Sequence, residues 1–236
     1  MNWKALVFIL GCIGAVVYAI MAPAAVGFAV PELAKILFFH LPCAFITTGL
    51  IIFASFVGLR YLQTSDSKFD VRNAVLNELA LVFAVLTMVS GIIFSRFQWN
   101  AWWQNDPRQT SFLIVLMLCG AGVALRGGLV DEHKTARAAC AYSVATFLPV
   151  MFLIFVLPRI MESFHPKDAV MHLSGAYWTG VFYVMALMVW ATRYIYVKRV
   201  AKLEAKFDDA DEVEGVSPYP RAVRPVAIGE SKSGDE

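Results

Sequence analysis

The residues best suited to chemistry lie in the stretch 97–111, which reads FQWNAWWQNDPRQTS. It contains Trp99, Trp102 and Trp103, followed by the carboxylate of Asp106. If this stretch is helical, the i, i+3, i+4, i+7 spacing places all four side chains on one face. Such a face suits a flat aromatic ligand. The same indoles also suit a bilayer interface, where tryptophans anchor helices without any ligand.

The residues after the tryptophans predict the start of a helix. Asp106 has the position of an N-cap, Pro107 that of the first helical residue and Gln109 that of the third, as in a capping box. The following helix would present its free N–H groups and the positive end of its dipole to the tryptophans. With Arg108 beside them, these groups favour the anionic part of a ligand.

Composition places the chain in a membrane. Of its 236 residues, 59% are hydrophobic and 16% are charged, and the mean hydropathy is +0.63, which leaves too few polar groups for an ordinary soluble domain. The net charge of +2 and the dispersed Lys and Arg residues indicate no nucleic-acid partner. The cysteines lack C-x-x-C spacing and are expected to pack as small core residues. They are Cys12, Cys43, Cys119 and Cys140.

The apolar stretches predict an all-α integral membrane protein, a six-helix bundle whose tryptophan-rich loop connects helices three and four. Each stretch is close to the roughly 20 residues that a ~30 Å hydrocarbon layer requires, and a helix pairs its own backbone groups in lipid. The predicted spans are Ala5–Ala22, Ile36–Leu59, Val75–Phe94, Ser111–Leu125, Ala138–Leu157 and Leu173–Thr192. Tyr61–Asn73 and Arg126–Arg137 are predicted as polar loops, and Pro158 as the end of span five.

The two ends of the chain allow further interpretation. Span one follows Lys4 and is also compatible with a cleaved signal peptide, because an apolar run and the small residues at 22–24 come after this basic start. From about Lys202 the chain is rich in Glu, Asp, Lys, Pro, Gly and Ser, which predicts a flexible tail over 201–236. The membrane domain is therefore expected over 1–200.

Charge predicts the orientation of the bundle, since Lys and Arg accumulate in cytoplasmic connections. Ten such residues fall on one side: Lys4, Arg60, Lys68, Arg72, Arg126, Lys134, Arg137, Arg193, Lys198 and Arg199. Five fall on the other side: Lys35, Arg96, Arg108, Arg159 and Lys167. Both termini are expected in the cytoplasm and the tryptophan loop outside it.

Histidines are the second set of candidates for chemistry. His40, His165 and His172 fall on the side of the tryptophan loop, whereas His133 falls on the cytoplasmic side. Imidazole is a common axial ligand of heme iron. A single histidine at a membrane boundary is also an ordinary interfacial residue, so position alone leaves both interpretations open. Apart from Glu78 at the inner edge of span three, the predicted spans contain no Asp, Glu, Lys, Arg or His deep in the bilayer, and ion pathways usually need such groups.

The stretch 99–110, WNAWWQNDPRQT, resembles the W-G-x-x-W-x-W-D-x-R-x-T signature of the heme-handling WWD membrane proteins. Asn100 stands where that signature has glycine, and Asn105 where it has its last tryptophan. His40-Leu41-Pro42 resembles the H-x-P start of the second span in the CcmC family of cytochrome c maturation. His165 lies where that family has its second heme-liganding histidine, with His172 as the reserve candidate.

The CcmC resemblance covers about residues 1–200 and implies a non-enzymatic role in heme transfer. Heme b would be held at the periplasmic face of the bacterial inner membrane and delivered to the heme chaperone CcmE, beside the CcmA and CcmB transporter subunits and CcmD. His40 and His165 would be the axial ligands. The site residues that the resemblance implies near the porphyrin are Trp99, Trp102, Trp103 and Arg108, with Asp106 holding the loop.

Three alternatives remain at the level of the sequence. A heme lyase component would present heme directly to apocytochrome c, but such proteins are usually longer. A permease-like subunit would use its tryptophans only as membrane anchors. A membrane b-type cytochrome would retain its heme and exchange electrons with a quinone.

Overall fold

The computed structural model describes residues 3–25, 27–128, 132–164 and 173–214, and every regular element within these ranges is helical. Six helices are long and apolar enough to cross a membrane, which confirms the predicted number of spans and the all-α fold class. The first four are α1 (Trp3–Met21), α2 (Leu37–Thr64, preceded by the 3-10 turn Leu33–Ile36), α3 (Ser67–Trp99) and α4 (Pro107–Gly127). The last two are α5 (Glu132–Met151, continued by the π turn Phe152–Val156 and by Leu157–Ile160) and α6 (Gly175–Glu214).

The helices extend beyond the apolar stretches that predict them. The loop expected over Tyr61–Asn73 is wrong, because α2 and α3 meet at a turn of only Ser65 and Asp66. Ser65 has a left-handed backbone with φ 54°, and Asp66 caps α3 by accepting the N–H of Lys68 at 3.0 Å. Hydropathy marks where the lipid ends, whereas a helix ends where capping and turn residues stop it.

The last two helices show the same effect. The prediction that Pro158 ends span five is wrong by one short turn, since α5 continues to Ile160. Pro149 lies inside α5 and cannot donate a backbone N–H, and the π turn follows it closely. α6 has 40 residues and is therefore about 60 Å long, roughly twice the hydrocarbon thickness. Residues 201–214 extend this helix, and residues 215–236 lie outside the described ranges.

Helices α2 to α5 pack around one another at the centre of the bundle, and α6 lies against α2 and α3. α1 packs mainly on α6, where the hydroxyl of Tyr183 donates to the carbonyl of Gly11 at 2.9 Å. α6 approaches α2 closely at Gly180, because a Cβ atom there would lie 2.6 Å from the ring of Phe38. The α1–α2, α3–α4 and α5–α6 connections lie at the same end of the bundle, which we call the tryptophan-loop end.

A buried ionic cluster joins the helices at the opposite end. The Arg126 guanidinium pairs with Asp70 at 2.7 Å and donates to Oδ1 of Asn73 at 2.8 Å. Asp70 is only 5% exposed, and in the same region Tyr61 hydrogen-bonds to Nδ1 of His133 at 3.2 Å. The sequence assigned these residues to polar loops. They are instead helical and bond to one another inside the bundle, with the Nε of Arg126 left without a partner among the described residues.

The buried Asp70–Arg126 pair predicts a large stability difference from the exposed Glu78–Arg199 pair. Asp70→Ala leaves the Arg126 charge buried without its carboxylate, a change that costs about 3–5 kcal/mol. Glu78→Ala breaks a pair whose side chains are 41% and 52% exposed, and pairs at the surface contribute about 0–1 kcal/mol. Thermal unfolding in detergent should therefore show a much larger loss for Asp70→Ala. Equal losses in the two variants would contradict the assignment of this pair as a structural lock.

Candidate functional site

A cavity of about 300 Å³ lies at the tryptophan-loop end, between the ends of α2, α3 and α4. This volume is at the lower end of the roughly 300–1,000 Å³ of small-molecule pockets. The connection after α1 covers one side of it with residues 27–29. Most of the lining is apolar. Its polar members are His40, Thr87, Ser95, Gln98, Arg108 and Gln109.

Three of the residues selected from the sequence meet at this cavity. His40 comes from the first turn of α2, Trp99 is the last residue of α3, and Arg108 lies in the first turn of α4. Three helices that begin or end at one membrane face therefore bring together an imidazole, an indole and a guanidinium. His165 and His172 lie outside the residues that the structure describes, so their positions remain predictions.

The remaining selected residues do not line the cavity, and the prediction of one shared helical face is wrong. α3 ends at Trp99, and the following residues are not helical. Trp102 and Trp103 are 61% and 37% exposed, whereas Asp106 is 1% exposed. The indoles of the loop thus point to the surroundings while the carboxylate is buried beneath them.

Two asparagines divert the chain from the helical path. Asn100 is the C-cap of α3 with φ 57°, and Asn105 has φ 51°. Asparagine is among the few residues other than glycine that enter the left-handed region at low cost. Asn100 therefore preserves the backbone that a glycine would give at this position. Oδ1 of Asn105 also accepts the indole N–H of Trp103 at 2.9 Å.

Side chains satisfy the backbone of this irregular loop. Gln109 accepts the N–H of Gln104 at 3.1 Å and donates to the carbonyl of Trp102 at 3.3 Å. Gln104 in turn donates to the carbonyl of Trp99 at 3.1 Å. The capping box expected of Gln109 is thus replaced by contacts further back in the loop. These bonds hold the tryptophans in a fixed chain path without regular secondary structure.

Asp106 caps α4, as predicted, and has a second role that the sequence did not reveal. Its Oδ1 accepts the N–H of Arg108 at 2.9 Å. Its Oδ2 accepts the hydroxyl of Ser163 at 2.6 Å and the N–H of Phe164 at 2.7 Å. The carboxylate therefore ties the tryptophan loop to the segment that precedes residue 165. No local pattern signals a contact between groups 57 positions apart.

Aromatic rings pack around the indole of Trp99, one of the residues that the sequence analysis selected. The ring of Trp99 packs edge-on against Phe94 with a centroid distance of 5.5 Å, and it lies 6.4 Å from Phe164. Phe94 also meets Phe28 edge-on at 6.0 Å, which connects these rings to the segment after α1. Such contacts fix the orientation of Trp99 beyond what area burial provides.

Gln98 is a further site residue that the sequence analysis missed. Its side-chain amide accepts the N–H of Val30 at 3.0 Å and donates to the carbonyl of Val30 at 2.9 Å. This pair of bonds holds the segment after α1 over the cavity. A signal was present: Thr87, Gly91, Ser95 and Gln98 are polar or small residues at helical spacing in an apolar span.

The family model of CcmC, described as Heme exporter protein C, matches residues 1–208 of this chain. The chain belongs to the CcmC family. It is thus a multi-pass membrane protein, with the six spans found in the structure.

Proteins named Heme exporter protein C are similar to this chain in several bacteria. The protein of Bradyrhizobium diazoefficiens is 25% identical over 142 residues, which are 60% of this chain and 54% of that protein. The Escherichia coli K12 protein is 30% identical over 108 residues, 44% of this chain and 43% of that protein. In these two cases the matched region spans about half of the relative. The Rhodobacter capsulatus protein is 22% identical over 186 residues, 73% of this chain and 77% of that protein.

The hydrogen bonds of Asp106 to Ser163 and Phe164 change the result expected for the variant Asp106→Asn. The capping role alone predicts that Asp106→Asn resembles the wild type, since asparagine is an equally good cap. However, one amide oxygen cannot replace two carboxylate oxygens, whichever way the amide is turned. Each lost charge-assisted hydrogen bond costs about 1.5–3 kcal/mol. We therefore expect Asp106→Asn to show faster exchange of the backbone amide hydrogens at residues 160–164, and a lower unfolding temperature, than the wild type.

Asp66→Asn is the matched control for this variant. Asp66 is also an N-cap, but it is only half-buried, and its carboxylate accepts the N–H of Lys68 at 3.0 Å in a hydrogen bond exposed to the surroundings. This substitution should leave both readouts unchanged. Indistinguishable exchange and stability in Asp106→Asn and Asp66→Asn would mean that the bonds to the segment after α5 contribute nothing.

Proposed function

We propose that this protein binds heme at the cavity of the tryptophan-loop end and transfers it to a heme chaperone during cytochrome c maturation. The observation that carries the proposal is the convergence of His40, Trp99 and Arg108 on one apolar cavity from three different helices. An imidazole, an aromatic wall and a cation are the groups that iron, porphyrin and propionate require. The matched relatives carry the name Heme exporter protein C.

The residues present fit heme, and Arg108 gives the clearest sign. Its Nε is buried and has no hydrogen-bond partner among the residues that the structure describes; the Nε of Arg126 shares this property, but only Arg108 of the two lines the cavity. A buried donor without a partner is costly, so a ligand acceptor is expected there. The N-terminus of α4 adds the positive end of a helix dipole beside this donor. A heme propionate supplies the missing acceptor and the matching charge.

The iron would be bound by His40 and, as the second axial ligand, by His165. The support for His165 is indirect, since Asp106 holds the N–H of Phe164, the residue directly before it. Fixing Phe164 restricts where the next side chain can go. His172 is the reserve ligand should His165 not serve.

Trp102 and Trp103 are assigned to the part of the heme that extends beyond the cavity. They do not line it, and the cavity volume of about 300 Å³ is small for a whole porphyrin with its substituents. A heme held by one edge in the cavity, with its other edge beside the exposed indoles, remains accessible to a partner protein. This arrangement suits transfer better than permanent storage.

The proposed partners follow from the family. Heme b is the transported ligand, CcmE the receiving chaperone, and CcmA, CcmB and CcmD the neighbouring subunits. The charge distribution of ten basic residues against five supports a site that faces the periplasm, with both termini in the cytoplasm of a bacterial cell. The chemistry required is ligand exchange at iron, so no catalytic residue is assigned.

Heme retention in variants of the full chain tests this function. We expect His40→Ala and His165→Ala each to lower the heme content of the purified protein about tenfold or more, because each removes an axial ligand. Arg108→Gln should weaken binding by about tenfold, the loss of one charge-assisted hydrogen bond. His133→Ala is the control, since His133 contacts Tyr61, which lies about 30 Å along α2 from His40, at the opposite end of the bundle.

Two results would overturn the proposal. Normal heme content and spectrum in the His40→Ala, His165→Ala double variant would exclude bis-histidine ligation. An equal loss in His133→Ala would mean that the effects report general instability instead of ligand binding.

A further inference from the structure

The His40 ring lies against α3 at two consecutive residues. Its Nδ1 is 2.9 Å from the hydroxyl oxygen of Ser90, which is 4% exposed. Because water is excluded from this hydroxyl, its contact with the imidazole does not compete with solvent. Ser90 lies about two and a half helical turns before Trp99 on α3, next to Gly91, which lines the cavity together with His40.

The single hydroxyl proton of Ser90 is directed to a backbone carbonyl of α3. The hydroxyl oxygen is 2.7 Å from the carbonyl oxygen of Leu86 and 3.1 Å from that of Thr87. With its proton directed to a carbonyl, the oxygen offers a lone pair to the ring. Nδ1 of His40 is then the protonated nitrogen and donates the hydrogen bond. The lone pair of a neutral imidazole consequently lies on Nε2, the nitrogen at the far end of the side chain.

Gly91 provides the steric part of the same contact. A Cβ atom at this position would lie 3.2 Å from Cε1 of His40 and 3.8 Å from its Nδ1. Any larger residue would push the ring outward by a few tenths of an ångström. Glycine therefore leaves room for the Nδ1–Cε1 edge of the imidazole against α3 while the neighbouring serine accepts its N–H.

We propose that Ser90 and Gly91 form a seat that selects the tautomer and the orientation of His40 before heme arrives. The seat is a positioning device, since neither residue is assigned a contact with iron. This inference rests on the proposed function, in which Nε2 of His40 binds the metal. Outer-sphere partners that fix the tautomer of a ligand histidine typically raise metal affinity by about 10–100-fold.

The tautomer can be measured without heme. Nitrogen-15 NMR of the full chain with labelled histidine, in lipid bilayers, distinguishes protonated Nδ1 from protonated Nε2. The signal of His40 is the one lost in His40→Ala. We expect protonated Nδ1 in the wild type and loss of this preference in Ser90→Ala. Protonated Nε2 in the wild type would overturn the inference, whatever the stability of the variants.

Heme titration of the same proteins provides the second test. Ser90→Ala should bind heme about 10–100-fold more weakly with an altered absorption spectrum, whereas Ser90→Thr, which keeps the hydroxyl, should retain most of the affinity. Gly91→Ala should weaken binding by displacing the ring. Ser55→Ala is the matched control, because Ser55 is also buried and donates to the carbonyl four residues earlier, but its hydroxyl contacts Ser143 instead of His40.

The outcomes separate the two proposals. If His40→Ala loses heme while Ser90→Ala binds it like the wild type, the proposed positioning of His40 by Ser90 is wrong and the proposed function stands. If His40→Ala binds heme normally, the proposed function itself fails. A similar loss in Ser55→Ala and Ser90→Ala would assign the effect to packing and would also overturn the seat.

Discussion

The tryptophan-loop end depends on the buried carboxylate of Asp106. One of its oxygens holds the first turn of α4, and the other holds the segment that leaves α5. Asp106 is 1% exposed, so these charge-assisted hydrogen bonds act in a medium of low dielectric constant, where they are strong and their loss is costly. Without this carboxylate, the first turn of α4, which contains Arg108, and the segment just before His165 would lose the side chain that bonds to both.

The two ends of the bundle have different demands. At the opposite end, Asp70, Asn73 and Arg126 bond to one another and join neighbouring helices, although the Nε of Arg126 has no partner among the described residues. At the tryptophan-loop end, buried polar groups surround a cavity, and the Nε of Arg108 remains without a partner in the described part of the chain. Of these two guanidinium groups, that of Arg108 belongs to a residue that lines the cavity, whereas that of Arg126 does not.

The sequence predicted the six spans and the N-cap at Asp106, since hydropathy and capping are local signals. Its motifs also selected His40, Trp99 and Arg108, which line one cavity. It did not predict the path of the loop. Asn100 and Asn105 adopt left-handed backbone that asparagine permits without requiring. The contacts of Asp106 with Ser163 and of His40 with Ser90 join groups 57 and 50 positions apart, which no local pattern reveals.

The central claim is that this chain holds heme iron between two histidines at one membrane face. The electron paramagnetic resonance spectrum of the wild-type full chain, purified and loaded with ferric heme, tests it most directly. The proposed ligation by His40 and His165 predicts a six-coordinate low-spin signal typical of two imidazole ligands. A high-spin signal from the loaded protein, or no specific binding of heme, would contradict the account.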